Sequence, residues 1–134
     1  MSEPPPPSDR RPSRTPQQDI GTRAELLVVR HLTVLGLEIL GVNVRVGRFE
    51  IDIVAREGEV IVVVEVRTRG AGSYVRALDS VTPQKRMRVR RAGTCLWRQR
   101  FSRMPGVERM RFDIAAVSFG PDGRVEIEHV RAAF

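Results

Sequence analysis

Two carboxylates stand inside otherwise apolar runs. Asp52 belongs to Phe49-Glu50-Ile51-Asp52-Ile53-Val54-Ala55 and Glu65 to Val60-Ile61-Val62-Val63-Val64-Glu65-Val66-Arg67. An ion in a half-buried strand costs several kcal/mol unless a cation, a donor or a metal compensates it. The runs are β-branched and flank Arg56-Glu57-Gly58-Glu59, so they read as a hairpin. With Glu57-Gly58 as its two-residue loop, Asp52 lies opposite Val63 and diagonal to Glu65, and the period-two rule puts Glu50 and Arg67 on the same face. Diagonal neighbours are about 7–8 Å apart, near enough for one hard cation to bridge two carboxylates. The expected metal ligands are Asp52 and Glu65, with Glu50 as a lesser candidate because hairpin edges often carry solvated charge.

The elements that position these residues follow from periodicity. The expected order is a helix over 20–35, strands over 37–46, 49–55 and 60–68, a helix over 83–100, and strands over 110–119 and 124–131. A Gly120-Pro121-Asp122-Gly123 turn separates the last two strands. The first helix, with Asp19 as its expected cap, buries a stripe of Ala24, Leu27, Val28, Leu32 and Leu35. Glu25 sits at the margin of that stripe, where it is either a further metal ligand or a solvated flank residue. Thr82-Pro83-Gln84-Lys85 opens the second helix, with Thr as N-cap and Pro in the first turn. At about 100° per residue, Lys85 shares a stripe with Val89, Ala92 and Leu96, so it points towards the sheet. From there Lys85 or Gln84 can join the site, and the helix N-terminus favours an anion. The bland alternative is a first-turn lysine snorkelling to water.

The pattern of an Asp, then Glu-x-basic after about a dozen residues, resembles the PD-(D/E)xK or restriction-endonuclease-like nucleases. The wider text is more specific. Gly21-Thr22-Arg23-Ala24-Glu25, Glu50-Ile51-Asp52, Val64-Glu65-Val66-Arg67-Thr68-Arg69, Thr82-Pro83-Gln84-Lys85, Arg111-Phe112-Asp113 and the closing Ile127–Phe134 segment resemble the YraN-type family of uncharacterised bacterial proteins, over roughly residues 20–134. That family is described as endonuclease-like by fold. The resemblance implies an α/β fold with a restriction-endonuclease-like αβββαβ core, a mixed central sheet flanked by helices. It also implies Mg²⁺ or Mn²⁺ held by the carboxylates, with Asp52, Glu65, Arg67 and Lys85 as the catalytic set. Resolvases that share the fold imply a structured or branched substrate. Two positions depart from the pattern: Arg67 stands where the superfamily usually has Lys, and Phe49 where the family usually has Gly. Arginine is always protonated, so Arg67 can hold a phosphate but is a poor proton acceptor.

Charge points to the partner. The net charge is +7, and 22 of the 23 basic residues are Arg, Lys85 being the exception. Between Ser80 and Val107 stand Lys85, Arg86, Arg88, Arg90, Arg91, Arg98, Arg100 and Arg103 without one Asp or Glu. Like charges crowded on one helix repel, whereas a polyphosphate neutralises them and releases counterions. Arg86, Arg90, Arg91, Arg98 and Gln84 are the expected nucleic-acid contacts, to DNA before RNA. The bland alternative is a solvated basic face in an Arg-rich chain. No broad apolar face accompanies the charge, so a membrane surface is not expected, and a homodimer is the assembly that cutting paired strands requires. Opposed to the nuclease stands a non-catalytic nucleic-acid-binding or assembly module, in which the same charges form a metal-free cluster.

The rest bounds these readings. The chain's 134 residues and 41% apolar content suit one domain, expected over 20–134. Residues 1–19, rich in Pro and Arg, read as a disordered tail. Neither a signal-peptide core nor a long apolar run is present, so a cytoplasmic protein is expected. Lone Cys95 fits a reducing compartment, and His31 and His129 read as ordinary core or surface histidines. Gly70-Ala71-Gly72-Ser73-Tyr74 reads as a loop beside the site.

Overall fold

The computed structural model of the chain describes residues 15–70 and 75–134. The expected disordered tail up to residue 14, and most of the Gly70–Tyr74 loop, lie outside the described residues.

Two helices flank a five-stranded mixed sheet. The helices are α1 (Pro16–Val34) and α2 (Pro83–Gln99), and the strands are β1 (Glu38–Val46), β2 (Phe49–Glu57), β3 (Val60–Arg69), β4 (Arg109–Phe119) and β5 (Val125–Val130). The spatial order is β1-β2-β3-β4-β5. Every pair is antiparallel except β3 and β4, which run parallel because α2 carries the chain back across the sheet between them.

Helix α1 begins four residues before the expected start. Thr15, not Asp19, is the N-cap: its side chain accepts a bond from Gln18 N, and Gln18 Oε1 accepts one from Thr15 N, closing a capping box with Pro16 in the first turn. Asp19 falls in the first turn, where it faces the positive helix end. The Pro-rich composition of the preceding text masked this start. Helix α2 keeps the expected cap, with Lys85 N donating to Thr82 Oγ1 at 3.2 Å.

Each helix closes one face of the sheet. Ala24, Val28 and Leu32 of α1 pack on Ile53, Ala55, Val60, Val62, Val64, Ala115 and Val117. Val89, Ala92 and Leu96 of α2 pack on Ile51, Val54, Ile61, Val63 and Phe112. Central strand β3 is covered on both sides, which explains why its first residues form an unbroken apolar run instead of alternating. Burying each such side chain contributes about 1.5–3 kcal/mol. Truncating fully buried Leu32 to Ala would therefore cost about 2–5 kcal/mol through lost transfer energy and the cavity left behind.

The β2–β3 hairpin corrects the expected register. Pairing runs from Glu57↔Val60 to Ile53↔Val64, so the loop is Gly58-Glu59 and not Glu57-Gly58. Gly58 has φ +59° at the first central position, the requirement of a type II′ turn, whereas the expected loop placed the glycine second. The correction moves the register by two residues. Extended by one residue past the last pair, Ile53↔Val64, this register sets Asp52 opposite Glu65 instead of diagonal to it.

Candidate metal and phosphate site

Asp52 sits where β2 leaves its regular path. The β2–β3 ladder ends at Ile53↔Val64, and although Ile53 packs against α1, Ile51 packs in the α2 cluster, so alternation breaks at the residue between them. Continued pairing would set Val66 against Ile51. Instead the Val66 N–H donates to Asp52 Oδ2 at 2.8 Å, and the carboxylate takes the place of the missing backbone partner. On the other side, Asn43 of β1 lies between the Val42↔Ile53 and Val44↔Ile51 pairs and has φ +52°, a left-handed conformation that Asn tolerates. Its side chain lies close enough to the Glu25 carboxylate to pull that group's pKa downward.

Glu65, the residue after the last position of β3 paired with β2, is 3% exposed. Lys85 reaches it from the first turn of α2, with Nζ 3.6 Å from Glu65 Oε1 and 4.9 Å from the centre of the Phe49 ring. One cation stands near buried Glu65 and half-buried Asp52. Burial first, and the Asp52 charge second, push the Glu65 carboxyl up to about 8 against the pull of Lys85. Asp52 is raised as well, first by burial, although the Val66 N–H and a hydrogen bond with Glu65 oppose the rise. Each acid thus resists ionisation beside the other. Glu25 is raised by burial and then by the Asp52 charge, with Glu50 adding to the effect.

The structure therefore brings Asp52, Glu65 and Lys85 into contact, with Glu25 and exposed Glu50 within electrostatic reach. Among the described residues no three His, Cys, Asp or Glu side chains stand together as a metal-enclosing group. A pair of carboxylates still suits Mg²⁺, which uses one or two protein carboxylates and fills its other positions with water and substrate phosphate. The donor set is all oxygen, the kind a hard divalent cation prefers.

Beside the pair, a cleft of about 380 Å³ is lined by Arg67, Ser80, Val81, Thr82, Gln84, Lys85 and Arg88. Arg67 lies two residues beyond Glu65 on β3, and its charge pulls the Glu65 pKa downward. The N-terminal end of α2 faces the same space. Guanidinium and ammonium groups line this space together with the helix start, a chemistry suited to anions.

The basic residues of α2 divide in two. Arg91 and Arg98 are exposed along clefts of the helix surface, and Arg90 is exposed with its guanidinium 5.7 Å from the Phe112 ring centre. Arg86 departs from the expected solvent-facing role. Its Nε donates to Val81 O at 3.0 Å, its Nη2 donates to Leu78 O, and its guanidinium lies over Phe134. Arg86 is thus a clamp between α2, the preceding 3₁₀ turn and the end of the chain. The residues missed in the sequence are Arg88, which lines the anion cleft one turn after Lys85, and Asn43, whose sole signal was an Asn inside a strand.

His31 and His129 meet across the α1 face. His31 Nε2 and His129 Nδ1 are 3.2 Å apart, and His129 Nε2 is 2.9 Å from Asp113 Oδ2. Fully buried Asp113 also accepts from Arg111 Nε at 3.1 Å and Ala132 N at 2.9 Å, and Arg111 Nη1 continues to Glu57 at 2.9 Å. These bonds tie α1, β2, β4 and β5 together.

With this geometry in place, the comparisons identify the family. The uncharacterised protein family UPF0102 matches residues 24–117. The chain belongs to family UPF0102. A UPF0102 protein of Sorangium cellulosum is 59% identical over 123 residues, covering 92% of this chain and 85% of that protein. A UPF0102 protein of Kineococcus radiotolerans is 42% identical, covering 83% and 89% respectively, and one of Parafrankia is 38% identical, covering 87% and 97%. The UPF0102 match spans Glu25, Asp52, Glu65, Arg67 and Lys85. Among the described residues no helix is long and apolar enough to cross a membrane.

Proposed function

We propose that this UPF0102 protein is a metal-dependent endonuclease with a restriction-endonuclease-like core, hydrolysing phosphodiester bonds in structured or branched nucleic acid, DNA before RNA. The observation that carries the reading is the pair of half-buried Asp52 and buried Glu65 with Lys85 against it, beside an arginine-lined cleft. The αβββαββ order, with the carboxylates on the second and third strands, contains the αβββαβ series that the resemblance implies and so supports the reading.

Each residue has a defined task in this reading. Asp52 and Glu65 would hold Mg²⁺, with Glu25 and Glu50 adding negative potential. The chemistry supplied by Mg²⁺ held there would be an activated water and an offset of charge on the phosphate. Arg67 and Lys85 hold the scissile phosphate and stabilise the charge that develops on its oxygens. Thr82 and the first turn of α2 keep Lys85 aimed at the pair. Arg67 stays protonated throughout and serves as an electrostatic clamp.

A second reading has its own support. The Val66 N–H and Lys85 partly satisfy the carboxylates without metal, as a non-catalytic nucleic-acid-binding module would need. Incubating the protein with linear, flapped and four-way DNA and with RNA, in Mg²⁺ or Mn²⁺ and in EDTA, separates the two. Cleavage in metal alone supports the nuclease; nucleic acid bound but uncut in every condition supports the module.

A further inference from the structure

A second cleft adjoins the phosphate site. Its volume is about 570 Å³, and it lies between the β1–β2 turn and the middle of α2, lined by Phe49, Ala92 and Cys95 together with Arg48, Arg88 and Arg91. The two-residue turn Gly47-Arg48, closed by the Val46↔Phe49 pair, projects Arg48 and Phe49 towards the helix. Gly47 has φ +60°, so the turn tolerates little else at that position.

The lining combines a flat apolar wall with cations and contains no acidic residue. Among the described residues, no acid pairs with Arg48, Arg88 or Arg91. An occupant must therefore present both an apolar flat surface and negative charge. Phosphate alone needs no ring, and an apolar ligand needs no arginines. A nucleotide presents both, its base to Phe49 and Ala92 and its phosphates to the guanidinium groups.

Position strengthens the assignment. Arg88 lines both clefts, and the Phe49 ring that walls the second one also has Lys85 Nζ 4.9 Å from its centre. Along α2, Lys85, Arg88 and Arg91 recur at three-residue steps, which sets neighbouring side chains about 5–6 Å apart. A strand whose phosphate lies at Lys85 and Arg67 thus continues over Arg88 into the second cleft.

We infer that this cleft holds an unpaired nucleotide next to the scissile phosphate, making single-stranded or branched segments the preferred substrate over uninterrupted duplex. The inference rests on the nucleic-acid part of the proposed function. Base stacking is tolerant of sequence, so the cleft selects an unpaired base without selecting which one.

The test measures anisotropy of a labelled oligothymidylate against an abasic chain of equal length and charge, in EDTA. The wild type should bind the base-bearing chain about tenfold more tightly, the range of one or two stacked bases. Cys95→Phe, which fills the cleft and changes no charge, should reduce that preference to about threefold or less, consistent with losing such stacking. Phe49→Leu should reduce it in the same direction, and it decides the matter if circular dichroism finds Cys95→Phe unfolded. Equal binding of both chains by wild type, or an undiminished preference in a folded variant, overturns the cleft and leaves the nuclease reading standing. Binding of neither chain overturns the cleft, and if four-way DNA and RNA are likewise unbound in the same assay the nucleic-acid reading falls with it.

Discussion

The Lys85 ammonium stands 3.6 Å from the Glu65 carboxylate, reaching from the first turn of α2 to the middle of β3. The contact joins the sole lysine of the chain to a 3% exposed acid. It places the catalytic assignment on a pair that can be separated by substitution. Lys85→Met should lower cleavage by about 10²–10³, the loss typical of one transition-state donor. Metal affinity should not fall, because removing a cation does not weaken the attraction of the carboxylates for another. A variant with normal cleavage would return Lys85 to a structural role.

Stability should depend on pH through the carboxylate pair. The Glu65 pKa in the fold is about 8, above an unfolded value of about 4.3. The folded state therefore binds this proton more tightly, and its contribution is present at low pH and lost as pH rises from about 4.3 towards 8. Thermal melts across pH 5–8.5 should show wild type losing stability relative to Glu65→Gln, with Mg²⁺ restoring it at the alkaline end by binding the folded state. Parallel profiles for the two proteins would remove Glu65 as the source.

Asp52 has a structural task distinct from its proposed ligand task. Asp52→Ala leaves the Val66 N–H without its partner and should destabilise the fold by about 1–3 kcal/mol. Asp52→Asn keeps an acceptor oxygen and should fold nearly as stably. Both should lose metal binding. Denaturant unfolding beside calorimetry checks this split, and equal stabilities of the two variants would contradict the role given to the Val66 bond.

The network around Asp113 predicts a stability effect away from the site. Asp113→Ala removes a buried acceptor shared by Arg111, His129 and Ala132 N, and should cost about 3–5 kcal/mol. Those hydrogen bonds hold the Asp113 pKa below its ordinary value although burial opposes them. Its contribution is accordingly present above the unfolded pKa of about 3.9 and lost as pH falls through the lower folded value. Urea titrations of the variant at pH 7 and of the wild type between pH 5 and 2 measure both effects. An unchanged midpoint in the variant would show the network to be dispensable.

What could be read in the sequence followed local signals. The β-branched runs, the Thr82-Pro83 cap and the Lys85–Val89–Ala92–Leu96 stripe sufficed to place three strands, α2 and an inward lysine. The register at Asp52 did not follow, because Glu57-Gly58 and Gly58-Glu59 are both acceptable two-residue loops, and only the position of the left-handed glycine separates them. The start of α1 was obscured because its capping box, Thr15 and Gln18, lies in Pro-rich text. Long-range partners left no local trace. His31 and His129 look ordinary singly, since the residue that joins them to Arg111 is a strand aspartate, and Arg86 looked like any exposed arginine until the chain terminus folded beneath it.

The central claim is that Asp52 and Glu65 hold a divalent metal used in cleavage. Calorimetric titration of Mg²⁺ and Mn²⁺ into wild type, Asp52→Asn and Glu65→Gln, followed by incubation of the same samples with four-way and flapped DNA, tests it most directly. Metal heat and cleavage should both be present in the wild type and absent from both folded variants. Wild type that binds no metal while retaining nucleic acid uncut would contradict the account and leave a binding module.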